Sequence, residues 1–394
     1  MPVIEKRTLF IMGFTHSLLA LRTSKAAIHE ENMAKKNMPN KNMPETNYPL
    51  IFDGHNDTIL AMLKGRSFFE VSEQGHIDLP RAQVGGLGGG FFAIFVPSTK
   101  PMGAFPGMKQ DAKGGYHVPL PDPLEYRYAL DFTTKALRCL FEMEAAAAGK
   151  VKIVRTAAEL AACLEQGIFA MILHFEGVEA LDTNLDVLHV FYQAGLRSVG
   201  ITWSRPNAFG HGVPFSFPAS PDTGPGLTDA GKALVKTCNE LGVMIDLSHL
   251  NEKGFWDVAA LSSAPLVATH SNAHVLAATP RNLTDKQLDA VKESGGVVGV
   301  NFHIGFLRED GRSDAETSLT EIVRHAAYMA DRIGIEHVAL GSDFDGATMP
   351  QDLKDAAGLP KLMKALADHG FDQSALQQIA HANWVRVLGE TWRN

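Results

Sequence analysis

From residue 50 onward the chain alternates short, almost purely apolar runs with longer stretches in which apolar residues recur every three or four positions. Eight short runs stand out: 50–55, 90–96, 169–176, 197–203, 243–249, 265–271, 296–302 and 337–344. Most are too uniformly apolar to expose one face to water, so they read as parallel strands buried on both sides. The stretches between them carry helix signals. Residues 228–242, TDAGKALVKTCNELG, open on a Thr suited to an N-cap and close on a Gly; residues 282–296 repeat that layout, and further helices are expected over 124–149 and 372–389. Strand and helix in alternation predict an α/β fold, and eight strands predict a closed (β/α)8 TIM barrel, formed as one domain over residues 49–394. Two insertions, 97–122 and 204–226, each rich in Gly or Pro, follow strands, which sets long loops over the C-terminal face where such loops carry function.

Residues 1–48 break this rhythm. KRTLFIMGFTHSLLALRTSKA has the basic start, apolar run and small residues of an export signal, but Thr15, His16 and Ser17 interrupt it, and it is too short and polar to span a bilayer. Residues 30–48 are polar, repeat KNMP and hold three Met residues at which translation can start. The expectation is a disordered or weakly structured leader over 1–48 and a cytoplasmic location, with export by a weak N-terminal signal as the alternative. Of 394 residues, 45% are hydrophobic and 20% charged, ordinary for a globular enzyme with a large core. The balance of 36 basic against 44 acidic residues, net −8 with no basic cluster, argues against nucleic acid and against anionic membranes as partners. Cys139, Cys163 and Cys238 lie in helix-like stretches, form no CxxC pair, and read as small core residues rather than as a disulfide or thiolate site.

Polar residues interrupt the apolar runs at one end. In LIFDGHNDT, residues 50–58, His55 and Asp57 stand two apart on a strand and so point the same way, at a cost wherever water is excluded. A His-x-Asp triplet alone is common and reads as a polar turn. It gains partners in Glu176, His249, His270 and Asp343, all at or near the C-terminal ends of candidate strands, where barrel enzymes keep their active sites. Nitrogen and oxygen ligands without Cys suit zinc or another first-row divalent ion. Since a catalytic zinc takes about three protein ligands, the set His55, Asp57, Glu176, His249 and His270 fits two ions sharing Glu176 better than one crowded ion. Two cations about 3.5–4 Å apart bring the pKa of bound water down to about 7, which provides a hydrolase's nucleophile. His174 shares the face of Glu176 and stands between a supporting role and a structural one. His76, His189, His325, His337, His369 and His381 read as structural or exposed, and His274 and His303 stay open.

The stretches DGHND, HFEG, GLTDAGKALVKTCNELGVMIDLSH, THSNAHVLAATPRNLTD, GVVGVNF and GSDFDG resemble, in order and over roughly residues 50–390, the membrane (renal-type) dipeptidases of the amidohydrolase superfamily, and more particularly their bacterial members. The resemblance implies a barrel with two zinc ions, one held by His55, Asp57 and Glu176, the other by Glu176, His249 and His270. It implies that Arg281 grips the free carboxylate of a dipeptide and that Asp343 moves the proton; without it, Arg281 reads as a loop cation and Asp345 competes with Asp343. The implied substrate is a small dipeptide or related N-acyl amino acid, in many family members with a D-residue at the C-terminal side. The family also contains homodimers. One departure stands out: where members often read LTH, with a substrate-contacting histidine, this chain reads ITWSRPNAFGHG, placing Trp203 there, so that His211 in the same loop becomes the candidate replacement. Three rivals remain: a binuclear amidohydrolase acting on a non-peptide amide or ester, which has no use for Arg281; a non-catalytic metal-binding relative; and a structural barrel without metal.

Overall fold

The computed structural model describes residues 48–99 and 115–393; the leader expected over 1–48 lies, apart from Tyr48, outside the described residues. Eight parallel strands follow one another in chain order: β1 (Ile51–Asn56), β2 (Leu87–Phe95), β3 (Phe169–Glu176), β4 (Leu196–Gly200), β5 (Met244–Asp246), β6 (Val267–Ala268), β7 (Val297–Val300) and β8 (Val338–Leu340). Each pairs with the next. The ring closes beyond the end of β8, where the Asp343 N–H donates to His55 O (3.0 Å) and the Asp57 N–H to Phe344 O (2.8 Å). The expected (β/α)8 barrel is therefore the fold. A further short strand, Val151–Ile153, lies beside β3.

Alternation of side chains divides the core into two layers. In β3, Phe169, Met171, Leu173 and Phe175 pack outward against the helices, while Ala170 and Ile172 join Phe52, Phe91, Met244, Val267, Val297, Ala339 and Trp384 inside. His174 and Glu176 continue the second series, so the same register that fills the barrel floor carries polar groups toward its mouth. Backbone is closely packed here as well: a Cβ on Gly299 or Gly341 would meet the Thr269 carbonyl oxygen at 2.0 or 1.9 Å.

The helices follow their sequence signals. Asp229–Leu241 is capped by the Thr228 side chain accepting from the Gly231 N–H and ends at Gly242 in the left-handed region (φ 72°). Asp285–Glu293 opens on a Thr284/Gln287 capping box. The C-terminal segment differs from the single helix expected over 372–389: Gln373–Gln377 and Asn383–Thr391 flank a π turn at Gln378–Ala382. That turn brings Asn383 Nδ2 to the carbonyls of Ile335 and Val338 (2.8 Å each) and Trp384 Nε1 to Leu340 O (3.1 Å), so local helical regularity yields to plugging the barrel floor. The two insertions join: Tyr116–Val118 pairs antiparallel with Phe215–Phe217. No helix among the described residues is long and apolar enough to cross a membrane.

His325, on the helix Leu319–Ile333, is structural, as its sequence setting implies: it is fully buried, accepts from the Ala273 N–H at Nδ1 (3.1 Å) and meets Leu307 O through Nε2 (2.9 Å). Burial lowers its pKa from 6.5 to about 4. The folded state thus holds it neutral while the unfolded chain takes up a proton, so this residue's contribution to stability falls as pH drops from about 6.5 to about 4 and is level below that. His325→Gln is expected to flatten that part of the acid limb in thermal melts; a decline parallel to the parent protein's would contradict the assignment.

Candidate metal centre

β1 and β3 deliver their ligands from within the strands, His55 inside β1 and Glu176 at the last position of β3. His249, His270 and Asp343 lie just past the ends of β5, β6 and β8, where the ladder has stopped. His249 (φ 69°) and Asp343 (φ 63°) adopt left-handed backbone, an uncommon state for such residues, which turns their side chains into the mouth.

The five expected ligands converge. His55 Nε2 lies 3.5 Å from Asp57 Oδ2 and 3.6 Å from Glu176 Oε2. The other Glu176 oxygen, Oε1, is 3.0 Å from His249 Nε2 and 3.8 Å from His270 Nε2, and those two nitrogens are 3.1 Å apart. The His55 ring stacks on His270 with centroids 3.8 Å apart. Glu176 therefore divides its oxygens between two groups of ligands. All five residues are at most 5% exposed.

The donor chemistry suits bound cations. Ser204 Oγ meets His249 Nδ1 (2.9 Å) and Thr269 Oγ1 meets His270 Nδ1 (2.8 Å), so each imidazole is anchored on its outer nitrogen and turns Nε2 inward. Two imidazole lone pairs that close repel unless a cation lies between them. His55 Nε2 and Asp57 Oδ1 are buried and make no hydrogen bond to any described residue. Burial, then Arg281, holds His249 well below the usual histidine range, and burial, then His55 and Arg281, does the same for His270, which keeps both in the neutral, ligating form. Burial pushes Glu176 up to about 7, although His55 counteracts it. For His55, burial disfavours charge, yet Glu176 and Asp57 outweigh it and raise the pKa well above 6.5. Carboxylates crowded without solvent, and a histidine drawn toward protonation between them, are the signature of a site built for positive charge.

The remaining candidates take distinct places. Asp343 Oδ2 accepts from Asn301 Nδ2 (2.9 Å), and its carboxylate belongs to a group with His55 and Asp57 in which one ligand atom from each lies within 4.8 Å of the others. Its rival Asp345 is engaged elsewhere, accepting from Arg66 Nη1 (2.8 Å), Thr58 Oγ1 (2.9 Å) and the His76 N–H (2.6 Å). Arg281 is buried over the Phe306 ring (5.5 Å), donates from Nη2 to His270 O (3.0 Å), and keeps Nε and Nη1 without a hydrogen-bond partner among the described residues; burial lowers its pKa to about 10. Trp203 packs on Phe95 (4.8 Å), Phe215 (5.6 Å) and His249 (5.9 Å) in an aromatic cluster with Tyr116, Phe217 and Phe306. His211 is half-buried; its carbonyl accepts from the Asn251 N–H (3.1 Å), and no hydrogen bond or ion pair among the described residues ties its ring to the cluster. His274 and His303, left open by sequence, bond the carbonyls of Ala219 (2.9 Å) and Thr348 (3.1 Å).

Sequence reasoning missed Ser204, Thr269 and Asn301, the polar residues that hold His249, His270 and Asp343. Their one signal is adjacency: each is a small polar residue beside or within a strand-end motif, and nothing local tells such a residue from a surface one.

Comparison with known proteins agrees with this geometry. The sequence profile described as membrane dipeptidase (peptidase family M19) matches residues 46–394. A metallo peptidase from Rhodobacter sphaeroides, solved with a phosphinate mimic of the dipeptide L-Ala-D-Ala, is 49% identical and superposes with a TM-score of 0.85, over 88% of this chain and 100% of that one. Dipeptidase AC, a metallo peptidase of family M19, is 50% identical with a TM-score of 0.85, over 88% and 99%. An uncharacterised protein of the pqqA 5′ region of Klebsiella pneumoniae is 51% identical over 264 residues, 67% of this chain and 97% of its own length. The chain belongs to the membrane dipeptidase family, peptidase family M19, and is a metal-dependent hydrolase of that type, with its buried His/Asp/Glu centre at the C-terminal face of the barrel.

Proposed function

We propose that this chain hydrolyses the peptide bond of small dipeptides, including those with a D-residue at the C-terminal side, using two zinc ions. His55, Asp57 and Glu176 would hold one ion, and Glu176, His249 and His270 the other. The observation that carries the reading is the split Glu176 carboxylate, with its two oxygens 3.6 Å from His55 and 3.0 Å from His249. The L-Ala-D-Ala mimic bound to the Rhodobacter relative supports the substrate class. When bound, the ions supply Lewis acidity at the scissile carbonyl and ease the deprotonation of water.

The chain's own residues supply positioning and proton transfer. Arg281 presents N–H groups of its planar guanidinium, among them the buried Nη1 that pairs with no described residue, to the terminal carboxylate of the substrate. Anchoring that end aligns the scissile carbonyl with the centre and leaves no room beyond the carboxylate for a longer chain. Asp343 takes the proton of the attacking water and returns it to the departing amine. Asn301, donating to Asp343 Oδ2, keeps that oxygen occupied and leaves Oδ1 to exchange the proton. Trp203, Phe215 and Phe306 exclude water from the His249 and Arg281 side of the site.

Two measurements test the proposal. Dialysis against a chelator should abolish hydrolysis of L-Ala-D-Ala, and titration with zinc should restore it with an end point at about two ions per chain; full recovery at one ion would rule out the paired site. Arg281→Ala should lower kcat/KM for dipeptides by ~10²–10³-fold at unaltered metal content, in keeping with the ~2–5 kcal/mol lost when one partner of a buried charge pair is removed. Arg281→Lys should recover only part, because an ammonium cannot reproduce the planar set of guanidinium donors. Undiminished dipeptide turnover in Arg281→Ala would point instead to a neutral, non-peptide substrate.

A further inference from the structure

We infer that Asp246 is a positioning residue shared by both halves of the centre, holding His270 through Thr269, and His55 through one buried water that His174 also binds. The inference rests on the reading that His55 and His270 hold divalent cations. Asp246 ends β5 and is 1% exposed. Its Oδ1 accepts from the backbone N–H groups of Ser248 (3.0 Å) and Thr269 (2.8 Å), which fixes the carboxylate plane. Its Oδ2 accepts from Thr269 Oγ1 (2.6 Å), and that hydroxyl oxygen stands 2.8 Å from His270 Nδ1. With the hydroxyl proton directed to Asp246, Thr269 accepts from His270 Nδ1–H and leaves Nε2 bare toward Glu176. A carboxylate thereby sets the tautomer and the angle of a ligand histidine through one hydroxyl.

The second arm starts from unpaired atoms. Asp246 Oδ2 lies 3.7 Å from His174 Nε2, and one polar atom each of His55, His174 and Asp246 lie within 4.8 Å of one another. His174 Nε2 and His55 Nδ1 are fully buried and make no hydrogen bond to any described residue, whereas His174 Nδ1 is engaged by Ser198 Oγ (2.8 Å). Since His55 Nε2 is the nitrogen that faces Asp57 and Glu176, ligation through it puts the proton on Nδ1, deep in the barrel, where a donor needs an acceptor. The 3.7 Å gap is too long for a direct bond between His174 and Asp246. One water that accepts from His55 Nδ1–H and donates to His174 Nε2 and Asp246 Oδ2 satisfies all three, the usual partner number for a buried water being about three. Asp246 then steadies one histidine of each ligand group.

Chelator competition on the full-length protein, read beside thermal midpoints of the metal-free form, tests this. Asp246→Asn, which keeps size and removes charge, should weaken both ions, by about 10–100-fold in affinity. Thr269→Val severs the His270 arm alone and His174→Phe the His55 arm alone, so each should weaken one ion and spare the other. A high-resolution crystal structure of the zinc-loaded protein should show the bridging water, and a dry gap overturns the His55 arm. Variants that lower only the thermal midpoint while zinc affinities stay at the parent values overturn the proposal, because a purely structural role moves the first reading and not the second. Should Asp246→Asn fail to fold, the two single-arm variants decide. A parent protein that binds no divalent ion refutes the functional reading itself, whereas normal binding by parent and variants alike refutes this inference alone.

Discussion

A carboxylate placed among three imidazoles and a second carboxylate, all out of contact with water, is the constraint around which the barrel is arranged. Glu176 offers one oxygen to each group, with Oε2 facing His55 and Oε1 facing His249 and His270. Such a cluster is stable only with added positive charge, since desolvating carboxylates without a partner costs several kcal/mol each. Its geometry also requires a closed ring, because β1, β3 and the loops after β5 and β6 each contribute. The seam lies directly beneath it: Asp53 accepts from the Ser342 N–H (2.6 Å) and hydroxyl (2.8 Å), one residue before Asp343 on one side and two before His55 on the other. Barrel closure and ligand placement are therefore one structural event.

That coupling explains why strain collects at the rim. His249, Asp343 and Asp345 all hold positive φ, and each is pinned by neighbours that outweigh the local preference. Asp345 is tied to Arg66, Thr58 and His76, which fixes the turn carrying Asp343. Gly346 follows, so close to the centre that a Cβ there would meet Asp57 Oδ2 at 2.0 Å. The turn approaches a ligand carboxylate at a distance no side chain at that position permits, and glycine is the only residue that fits.

Legibility in the sequence follows the range of the forces involved. β3 is read to the residue, 169–176, because its burial on both faces gives an uninterrupted apolar run. The runs at 243–249, 265–271 and 337–344 overshoot strands that end at Asp246, Ala268 and Leu340: burial continues while the backbone leaves the ladder and carries His249, His270 and Asp343 to the mouth. The metal-type ligands are visible as polar residues where burial disfavours them. Arg281 is not, since an arginine in a loop carries no local sign that it is buried over Phe306; only likeness to a family singles it out. Nor does any pattern foretell the π turn at Gln378–Ala382, which answers to carbonyls of Ile335 and Val338 some 45 residues away in the chain.

The aromatic cluster links that buried arginine to the residue at which the chain departs from the family pattern. Trp203 and Phe215 both flank His249, Phe215 stacks on Phe306 (6.1 Å, 6° between planes), and Phe306 lies under Arg281. Phe215 is held in place because its strand pairs with Tyr116–Val118, which ties the described end of one insertion to the other. The effect is to surround a cation with low-dielectric walls, which strengthens its attraction for any carboxylate brought beside it. A tryptophan in place of a polar histidine extends that wall past His249 toward Arg205, whose guanidinium stands 5.5 Å over the indole. On the proposed role of Arg281, selection for a short, anionic-ended substrate would in this way be a property of packing as much as of the charge on that residue.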